Sequence, residues 1–173
     1  DATKTFLWKR EFDGEIRGLA FAEQSDLILI GTTDGRVKAV TSDGKDSWSF
    51  ETSYKVWHMA AHQEAQLILV GCGDNALYLL NFAGKQLWKE DTGDWVSRVA
   101  FSRDGGHAAV IVGLDKLNLY DLADRTLLWQ YQHNEILQDA KFYGEQQIIV
   151  GCNSGTFVLD FDQKVVWRDT TDD

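Results

Sequence analysis

The chain has 173 residues, 44% of them hydrophobic and 12% aromatic, with 15 glycines and no proline. A chain of this size and composition buries roughly 70% of its unfolded surface, which excludes intrinsic disorder and collagen-like structure. Its 27 acidic residues outnumber its 17 basic ones, and the formal net charge of -10 would repel phosphate backbones, so we expect no nucleic-acid partner. The apolar runs are far shorter than the roughly 20 residues that span a bilayer. The sequence therefore predicts a soluble protein without membrane insertion.

The predicted elements begin with an extra segment and continue as four copies of one unit. Residues 6–12 predict a strand that carries Trp8, and the units that follow span 16–50, 56–91, 96–132 and 136–170. Each unit has four short apolar or alternating runs separated by turn residues such as Asp34-Gly35, a pair typical of tight hairpins. Because no long stretch has helical periodicity, the sequence predicts an all-β protein over residues 1–173.

Tryptophan and glycine recur at a nearly fixed period. The tryptophans are 40, 40, 41 and 38 residues apart, at Trp8, Trp48, Trp88, Trp129 and Trp167. A glycine column follows them at Gly31, Gly71, Gly113 and Gly151. A four-stranded unit of about 40 residues in tandem is typical of a β-propeller, in which each sheet is a blade packed on its neighbours. We therefore predict four antiparallel blades plus one extra N-terminal strand, with indoles filling the wedges between blades and glycines allowing close approach.

The residues before two of the tryptophans carry a family resemblance. Gly44-Lys45 and Gly84-Lys85 precede Trp48 and Trp88, whereas the two later copies lack the glycine. This pattern resembles the pyrroloquinoline-quinone-like (PQQ-like, or quinoprotein-like) propeller repeat. The runner-up is the WD-repeat propeller, suggested by residues 71–74, although no tryptophan of the column is followed by aspartate. Both families imply a propeller, and both host enzymes, scaffolds and sensors.

The number of strands leaves three arrangements open. Four complete units accompany five tryptophan-bearing strands, so the strands with Trp8 and Trp167 would compete for one place in a closed four-bladed ring. The chain is a segment of a larger propeller, or half of a homodimer that completes an eight-bladed ring, or a compact four-bladed ring with an added strand. Exposed strand edges and apolar blade faces favour association. We therefore expect a partner, either another protein or the remainder of the same protein.

The sequence offers no pattern that indicates catalysis, metal binding or a cofactor. Cys72 and Cys152 occupy equivalent places in units that are not neighbours, so they predict neither a disulfide nor a shared metal site but small buried fillers. His58 and His62 are four residues apart on a predicted strand, which is no ligand spacing. The quinoprotein resemblance implies a cofactor only for a complete ring. We expect a non-enzyme, and two unpaired cysteines favour a cytoplasmic over an extracytoplasmic location.

One group of residues does not follow the repeat. Trp57 and Trp95, which lie outside the tryptophan column, stand near the start of the first strands of units two and three. Beside them a variable column reads Gly18, His58, Arg98 and Gln138, next to a nearly constant apolar column of Ile16, Val56, Val96 and Ile136. Exposed tryptophan, tyrosine and arginine are typical of interaction hot spots. We therefore predict a partner-binding surface of Tyr54, Trp57, His58, Trp95 and Arg98.

The resulting hypothesis is a non-catalytic propeller that serves as an interaction, scaffold or sensor module. The alternative is a quinoprotein-like dehydrogenase or a hydrolase that uses the channel of the propeller. A third hypothesis is purely structural, in which the chain only completes the ring of another subunit. The first hypothesis requires the patch around Trp57 and Trp95 for binding, and the third does not.

Overall fold

Sixteen strands form four separate antiparallel sheets in a computed structural model that describes residues 7–170 of the chain. The strands of each sheet are paired in chain order, so every sheet is one blade. A three-residue 3₁₀ turn, Glu23–Ser25, interrupts the first blade. The described residues contain no helix of the length and apolarity that crossing a bilayer requires. The predicted all-β class with four four-stranded antiparallel blades is confirmed.

The blades follow one another along the chain. Blade 1 contains β1 (Ile16–Ala22), β2 (Leu27–Thr32), β3 (Arg36–Thr41) and β4 (Asp46–Glu51). Blade 2 contains β5 (Val56–His62), β6 (Leu67–Cys72), β7 (Ala76–Asn81) and β8 (Gln86–Asp91). Blade 3 contains β9 (Val96–Phe101), β10 (His107–Val112), β11 (Lys116–Asp121) and β12 (Thr126–Gln132). Blade 4 contains β13 (Leu137–Tyr143), β14 (Gln147–Cys152), β15 (Gly155–Asp160) and β16 (Val165–Thr170).

The burial of each strand reflects its place in the blade. The central strands β6 and β10 are apolar runs in which nearly every residue is buried, because neighbouring blades cover both faces of the sheet. The outermost strand β4 instead alternates, with Trp48 and Phe50 half-buried on one face and exposed polar residues on the other. The apolar cores therefore lie between blades.

Three apolar clusters join consecutive blades, and a tryptophan packs against each. Trp48, Trp88 and Trp129 contact the cluster between their own blade and the next one. The indole Nε1 of Trp48 donates a hydrogen bond to the carbonyl oxygen of Phe82 at 2.8 Å, and that of Trp129 donates to Phe161 at 2.8 Å. These indoles thus fill the space between blades and tie each outer strand to the following blade.

Glycines in the second strands let the next blade approach closely. A Cβ atom placed on Gly31 would lie 2.5 Å from Cγ1 of Val56, and one on Gly71 would lie 2.7 Å from Cγ1 of Val96. Gly151 has the same place in β14, yet a Cβ atom there would meet nothing within 4 Å. Within residues 7–170, no blade covers that side of blade 4.

The predicted glycine column requires one correction. Gly113 lies after β10, in a turn where its φ is +60°, and it is not equivalent to the other glycines. Ile111 takes that place, because it pairs with Arg98 as Gly71 pairs with His58. The 42-residue gap between Gly71 and Gly113 already departed from the period of 40, so the spacing carried the signal of this mismatch.

The predicted apolar column is displaced by one residue in blade 4. The hairpin that joins β11 to β12 is one residue longer than the hairpin that joins β3 to β4, so every later position moves along by one. Leu137, not Ile136, therefore begins β13 and pairs with Cys152 as Val56 pairs with Cys72. Leu137 is 4% exposed, whereas Ile136 is 38% exposed.

The blades form an open row in the described part of the chain. Consecutive blades pack through their innermost strands, β1 on β5, β5 on β9 and β9 on β13, and no corresponding pair joins β13 to β1 across residues 7–170. The ends of the row expose apolar side chains: Leu19 and Phe21 of blade 1 are 67% and 49% exposed, and Trp167 of blade 4 is 50% exposed. The compact four-bladed ring is thus the alternative that this arrangement does not match.

The segment before blade 1 docks on that blade through Trp8. The predicted extra strand, residues 6–12, begins outside the described residues, and residues 7–12 are paired in no sheet. The indole Nε1 of Trp8 nevertheless donates to the carbonyl oxygen of Ser42 at 2.6 Å, and a Cβ atom on Gly44 would lie 2.9 Å from its ring. Trp48 contacts blade 2 in the same way. The segment therefore takes the place that the outer strand of a preceding blade would occupy.

Candidate interaction site

Two tryptophan rings from consecutive blades meet at the junction of blades 2 and 3. Trp57 lies in β5 and Trp95 immediately precedes β9, with ring centroids 5.5 Å apart and planes inclined by 56°. Gly73 separates Trp57 from Tyr54, since a Cβ atom there would lie 2.8 Å from Cδ1 of Tyr54 and 3.0 Å from Nε1 of Trp57. Tyr54 is exposed and both indoles are half-buried. We call Tyr54, Trp57 and Trp95 the aromatic cluster.

A β-bulge sets the direction of Trp57. The pairing of β5 with β6 skips this residue, because Val56 and His58 pair with consecutive residues of β6. The pairing of β1 with β2 skips Arg17 in the same way. A bulge bends the strand and re-aims the side chain of its extra residue. The two bulges thus bring the side chains of Arg17 and Trp57, from adjacent blades, close to each other.

Two cations flank the aromatic cluster. The guanidinium carbon of Arg17 lies 5.7 Å from the ring centroid of Trp57. The Nζ atom of Lys55 lies 5.6 Å from the centroid of Tyr54 and 6.0 Å from that of Trp57. These distances suit cation–π attraction. Arg17 and Lys55 are absent from the predicted surface, since only the structure shows that blade 1 supplies a side chain to it.

His58 and Arg98 form a second group beside the aromatic cluster. The backbone N–H of Val99 donates to Nδ1 of His58 at 3.3 Å. Burial lowers the pKa of His58 to about 4, the positive charges of Lys141 and Arg98 act in the same direction, and Asp139 opposes them. His58 is therefore a neutral imidazole near pH 7. Its low pKa makes it a poor candidate for binding an acidic group of a partner.

The variable column in blade 4 contains Asp139, where the sequence analysis placed Gln138. Asp139 pairs with Gly151 as His58 pairs with Gly71, whereas Gln138 is the bulged residue and its amide donates to Asn153 at 2.7 Å. The longer hairpin before β12 is the cause of this difference. Asp139 is paired with Lys141 at 3.4 Å, so His58 faces an ion pair of blade 4.

The predicted surface is thus divided. Tyr54, Trp57 and Trp95 lie together, while His58 interacts with charges of blades 3 and 4. Arg98 connects the two groups, because it lines a cavity of about 100 Å³ together with Trp95. Of the five predicted residues, Tyr54 is exposed and the other four are half-buried, so the exposed residue belongs to the aromatic cluster.

One further group contains ligand types that bind metal ions. His133, Glu135 and Cys152 have potential ligand atoms that all lie within 4.8 Å of one another. Cys72 and Cys152 were both predicted to be small buried fillers, but the structure shows that they differ in burial. Cys72 is buried and its thiol donates to the carbonyl oxygen of Tyr54 at 3.0 Å, whereas Cys152 is half-buried. Both cysteines are free.

Comparison with known protein families identifies the family of this chain. The family model described as outer membrane protein assembly factor BamB matches residues 33–172 of the 173-residue chain. The chain belongs to this family. The match covers the whole aromatic cluster and confirms the predicted resemblance to the PQQ-like repeat. A comparison with curated proteins found no significant match.

The aromatic cluster stands apart from the BamB-type repeat. Trp57 occupies the bulge position of blade 2, where the other blades have Arg17, Ser97 and Gln138. A residue present in every blade serves the packing of blades, as Trp48 and its equivalents do. A large aromatic side chain present at this position in one blade is not required by the repeat.

Proposed function

We propose that this BamB-family chain is a non-catalytic interaction module, acting as a scaffold or sensor, whose protein partner contacts the aromatic cluster. The observation that carries the proposal is the pair of half-buried rings of Trp57 and Trp95, 5.5 Å apart and supplied by two blades. Tryptophan, tyrosine and arginine dominate the binding energy of protein interfaces. The description of the family names an assembly factor, a role that depends on binding other proteins.

The flanking charges indicate the chemistry of the partner. Lys55 gives this surface a local positive charge on a chain whose formal net charge is -10, whereas Arg17 is already paired with Glu15 at 2.7 Å. We expect a partner segment that combines an apolar or aromatic side chain, packed against the indoles, with an acidic group near Lys55. Such a segment would associate faster at low salt, because exposed charges steer encounter.

The ends of the row of blades support a second contact, with the remainder of the same protein or with a second copy. Gly151 has open space where Gly31 and Gly71 receive the next blade, and Leu19, Phe21 and Trp167 are exposed. A homodimer of this chain would complete an eight-bladed ring. Light scattering distinguishes the two cases: a dimer supports pairing of two copies, and a monomer supports a longer polypeptide as the source of the missing blades.

The cytoplasmic location remains a prediction that rests on the two free cysteines. The family description, which names an outer membrane protein assembly factor, favours an extracytoplasmic location instead. Fractionation of cells that express the native gene, followed by immunoblotting, distinguishes the two locations.

The experiment that tests the interaction compares two double variants by quantitative cross-linking and mass spectrometry in the native cell. Trp57→Ala with Trp95→Ala removes both rings, and Leu127→Ala with Leu128→Ala removes two exposed apolar residues elsewhere, which are 45% and 48% exposed. The first variant should bind the partner more than about 30-fold more weakly, as truncation of a hot spot does, so the cross-link to the partner should be lost. The second variant should keep the cross-link. Both should keep their β-sheet circular dichroism. Equal binding by the first variant and the wild type would overturn the proposal, as would a bound quinone chromophore in the purified protein.

A further inference from the structure

The group of His133, Glu135 and Cys152 lies at the junction of blades 3 and 4. His133 follows β12, Glu135 precedes β13, and Cys152 ends β14. An imidazole nitrogen, a carboxylate oxygen and a thiol sulfur are all within 4.8 Å of one another. His133 is 5% exposed, and the other two residues are half-buried. The three side chains therefore converge in a partly enclosed position.

The imidazole of His133 is held rigidly, and one of its nitrogens has no partner. Its ring lies between Tyr131, with centroids 6.1 Å apart, and Phe157, with centroids 4.8 Å apart. The Nε2 atom is buried, and within the described residues 7–170 it makes no hydrogen bond. A buried polar atom without a partner is destabilising, so such an atom calls for an explanation. A metal ion bound by the imidazole would supply one.

The carboxylate of Glu135 is oriented by Ser154. The backbone N–H of Ser154 donates to one carboxylate oxygen at 2.9 Å, and its hydroxyl donates to the other at 2.8 Å. The same hydroxyl oxygen lies 3.9 Å from the sulfur of Cys152. Metal sites commonly fix their carboxylate ligands by hydrogen bonds of this kind. Ser154 thus holds Glu135 next to Cys152.

The protonation states of the histidine and the glutamate suit ligation. Burial lowers the pKa of His133, and Arg168 adds to this effect while Glu135 opposes it. The hydrogen bonds from Ser154 lower the pKa of Glu135. At neutral pH the imidazole is neutral and the carboxylate is ionised, which are the forms that bind metal ions.

The repeat shows that this combination is specific to one junction. The backbone N–H groups of Thr52, Thr92 and His133 donate to the carbonyl oxygens of the turns that precede them in blades 1, 2 and 3, so the three residues are equivalent. The hydroxyls of Thr52 and Thr92 are satisfied by carbonyl oxygens of the chain. His133 breaks this pattern. By the same alignment, the place of Glu135 is taken by Tyr54 and Asp94, and that of Cys152 by Cys72 and Val112.

From this geometry we propose that His133, Glu135 and Cys152 bind a divalent transition-metal cation of the zinc type. Imidazole nitrogen, thiolate sulfur and carboxylate oxygen are the ligands that Zn²⁺ takes in proteins. Tetrahedral bonds of about 2.0–2.3 Å place ligand atoms about 3.3–3.8 Å apart, so the side chains need to close by only about 1 Å. Binding releases the thiol proton of Cys152 to solvent. The thiolate and the carboxylate then balance the two positive charges of the ion, and the fourth position is left for water.

The metal would act as a clamp between blades. Two of its ligands lie in the connection that leaves blade 3, and the third lies in the second strand of blade 4. Blade 4 lacks a covering blade on its far side in the described residues, so a clamp at this junction compensates for part of the missing packing. The proposal is independent of the partner bound by the aromatic cluster.

The test is Co²⁺ titration of the purified chain, with Zn²⁺ competition. We expect one Co²⁺ per chain, with a thiolate-to-metal charge-transfer band and the intense visible bands of tetrahedral coordination. His133→Thr introduces the residue that the two other junctions have, and Cys152→Ser removes the sulfur. Loss of a group that only orients a ligand costs 10–100-fold in affinity, so each of these variants should weaken binding by more than about 100-fold. Cys72→Ser is the matched control, and it should keep the spectrum.

Thermal unfolding provides a second measurement. Zn²⁺ at about 100 times its dissociation constant should raise the Tm of the wild type and of Cys72→Ser by about 5–10 °C, with no rise in His133→Thr or Cys152→Ser. Circular dichroism without metal shows whether each variant is folded, and Cys152→Ser tests the proposal if His133→Thr is not. A Co²⁺ spectrum without a thiolate band, or an affinity that neither variant changes, would overturn the proposal.

Discussion

The indole nitrogen of Trp48 donates a hydrogen bond to the carbonyl oxygen of Phe82, 34 residues later and in the next blade, at 2.8 Å. Trp8 and Ser42 have the same separation of 34 residues and the same hydrogen bond, at 2.6 Å. The contact is therefore a repeated tether between an outer strand and the blade that follows it. Trp167 ends the series and is 50% exposed.

Replacing Trp48 with phenylalanine should destabilise the chain. Trp48→Phe removes the hydrogen bond to Phe82 and leaves part of the wedge between blades unfilled, with an expected loss of about 1–3 kcal/mol in the free energy of unfolding. Trp167→Phe is the control, because this exposed indole packs against no following blade within residues 7–170, and we expect less than about 0.5 kcal/mol. Urea denaturation followed by circular dichroism measures both. Equal losses would show that the tether contributes nothing specific.

Replacing the glycines of the second strands with alanine should have different effects on stability at a junction between two blades and at the open end of the row. Gly71→Ala places a methyl group 2.7 Å from Val96 Cγ1 and 3.0 Å from its carbonyl oxygen, so we expect a loss of about 1–3 kcal/mol. Gly151→Ala meets nothing within 4 Å and should be neutral or stabilising by about 0.5–1 kcal/mol, since alanine loses less entropy on folding. Thermal unfolding of the two variants at one protein concentration gives the comparison.

The same pair of variants reports on assembly. If a second copy covers Gly151, then Gly151→Ala should leave the monomer stable but weaken the dimer, because the new methyl group would meet the incoming blade as it does at Gly71. Light scattering over a range of concentrations detects this change. A dimer that tolerates the substitution would show that another surface forms the contact.

The tryptophan period was sufficient to predict the blades, because one large residue in each outer strand is required by the same packing in every copy. Trp48, Trp88, Trp129 and Trp167 pair with equivalent residues of the third strands. The period of 40 residues fails where a hairpin gains a residue, so it predicts Ile136 and Gln138 at the places that Leu137 and Asp139 occupy. A one-residue shift reverses which side chains are buried, and the 41-residue gap between Trp88 and Trp129 carried the signal of the extra residue.

The candidate sites were harder to predict, because they depend on irregular backbone and on contacts distant in sequence. Trp57 and Trp95 were found as residues outside the repeat, but the bulge that brings Arg17 onto Trp57 has no sequence signal. Cys152 and Glu135 are separated by a whole hairpin, and their proximity follows from the pairing of β13 with β14. Position 133 has histidine where the equivalent positions of blades 1 and 2 have threonine. This difference, visible when the strands are aligned, is the sequence signal for the group of His133, Glu135 and Cys152.

The two cysteines should differ in reactivity. Cys72 is buried, burial raises the pKa of its thiol, and it donates to the carbonyl oxygen of Tyr54. Cys152 is half-buried. In the metal-free protein, a disulfide reagent such as Ellman's should modify one thiol per native chain, Cys152, and reach Cys72 only on unfolding, because the thiolate is the reactive form. Cys152→Ser should abolish the fast phase and Cys72→Ser should keep it. Two thiols that react at the same rate in the native protein would contradict this prediction.

His58, the half-buried histidine at the third position of β5, should make the fold sensitive to acid. The pKa of His58 is about 4, compared with an ordinary value of 6.5, and burial is the main cause. The unfolded chain binds a proton between these values that the folded chain does not, so this contribution to stability is full above about pH 6.5 and is lost as the pH falls toward 4. The difference between the two pKa values corresponds to on the order of 3 kcal/mol.

A substitution isolates this contribution from the titration of the many carboxylates. Between pH 7 and pH 4.5, the wild type should lose about 2–3 kcal/mol more unfolding free energy than His58→Gln, whose side chain takes up no proton. Arg98→Gln removes one of the positive charges that hold the pKa of His58 down, so its loss between the same pH values should be smaller than that of the wild type. Urea unfolding at each pH measures the three proteins, and an NMR titration of the imidazole measures the pKa directly. If the wild type and His58→Gln lost the same stability, folding would not lower the pKa of His58, and this prediction would be wrong.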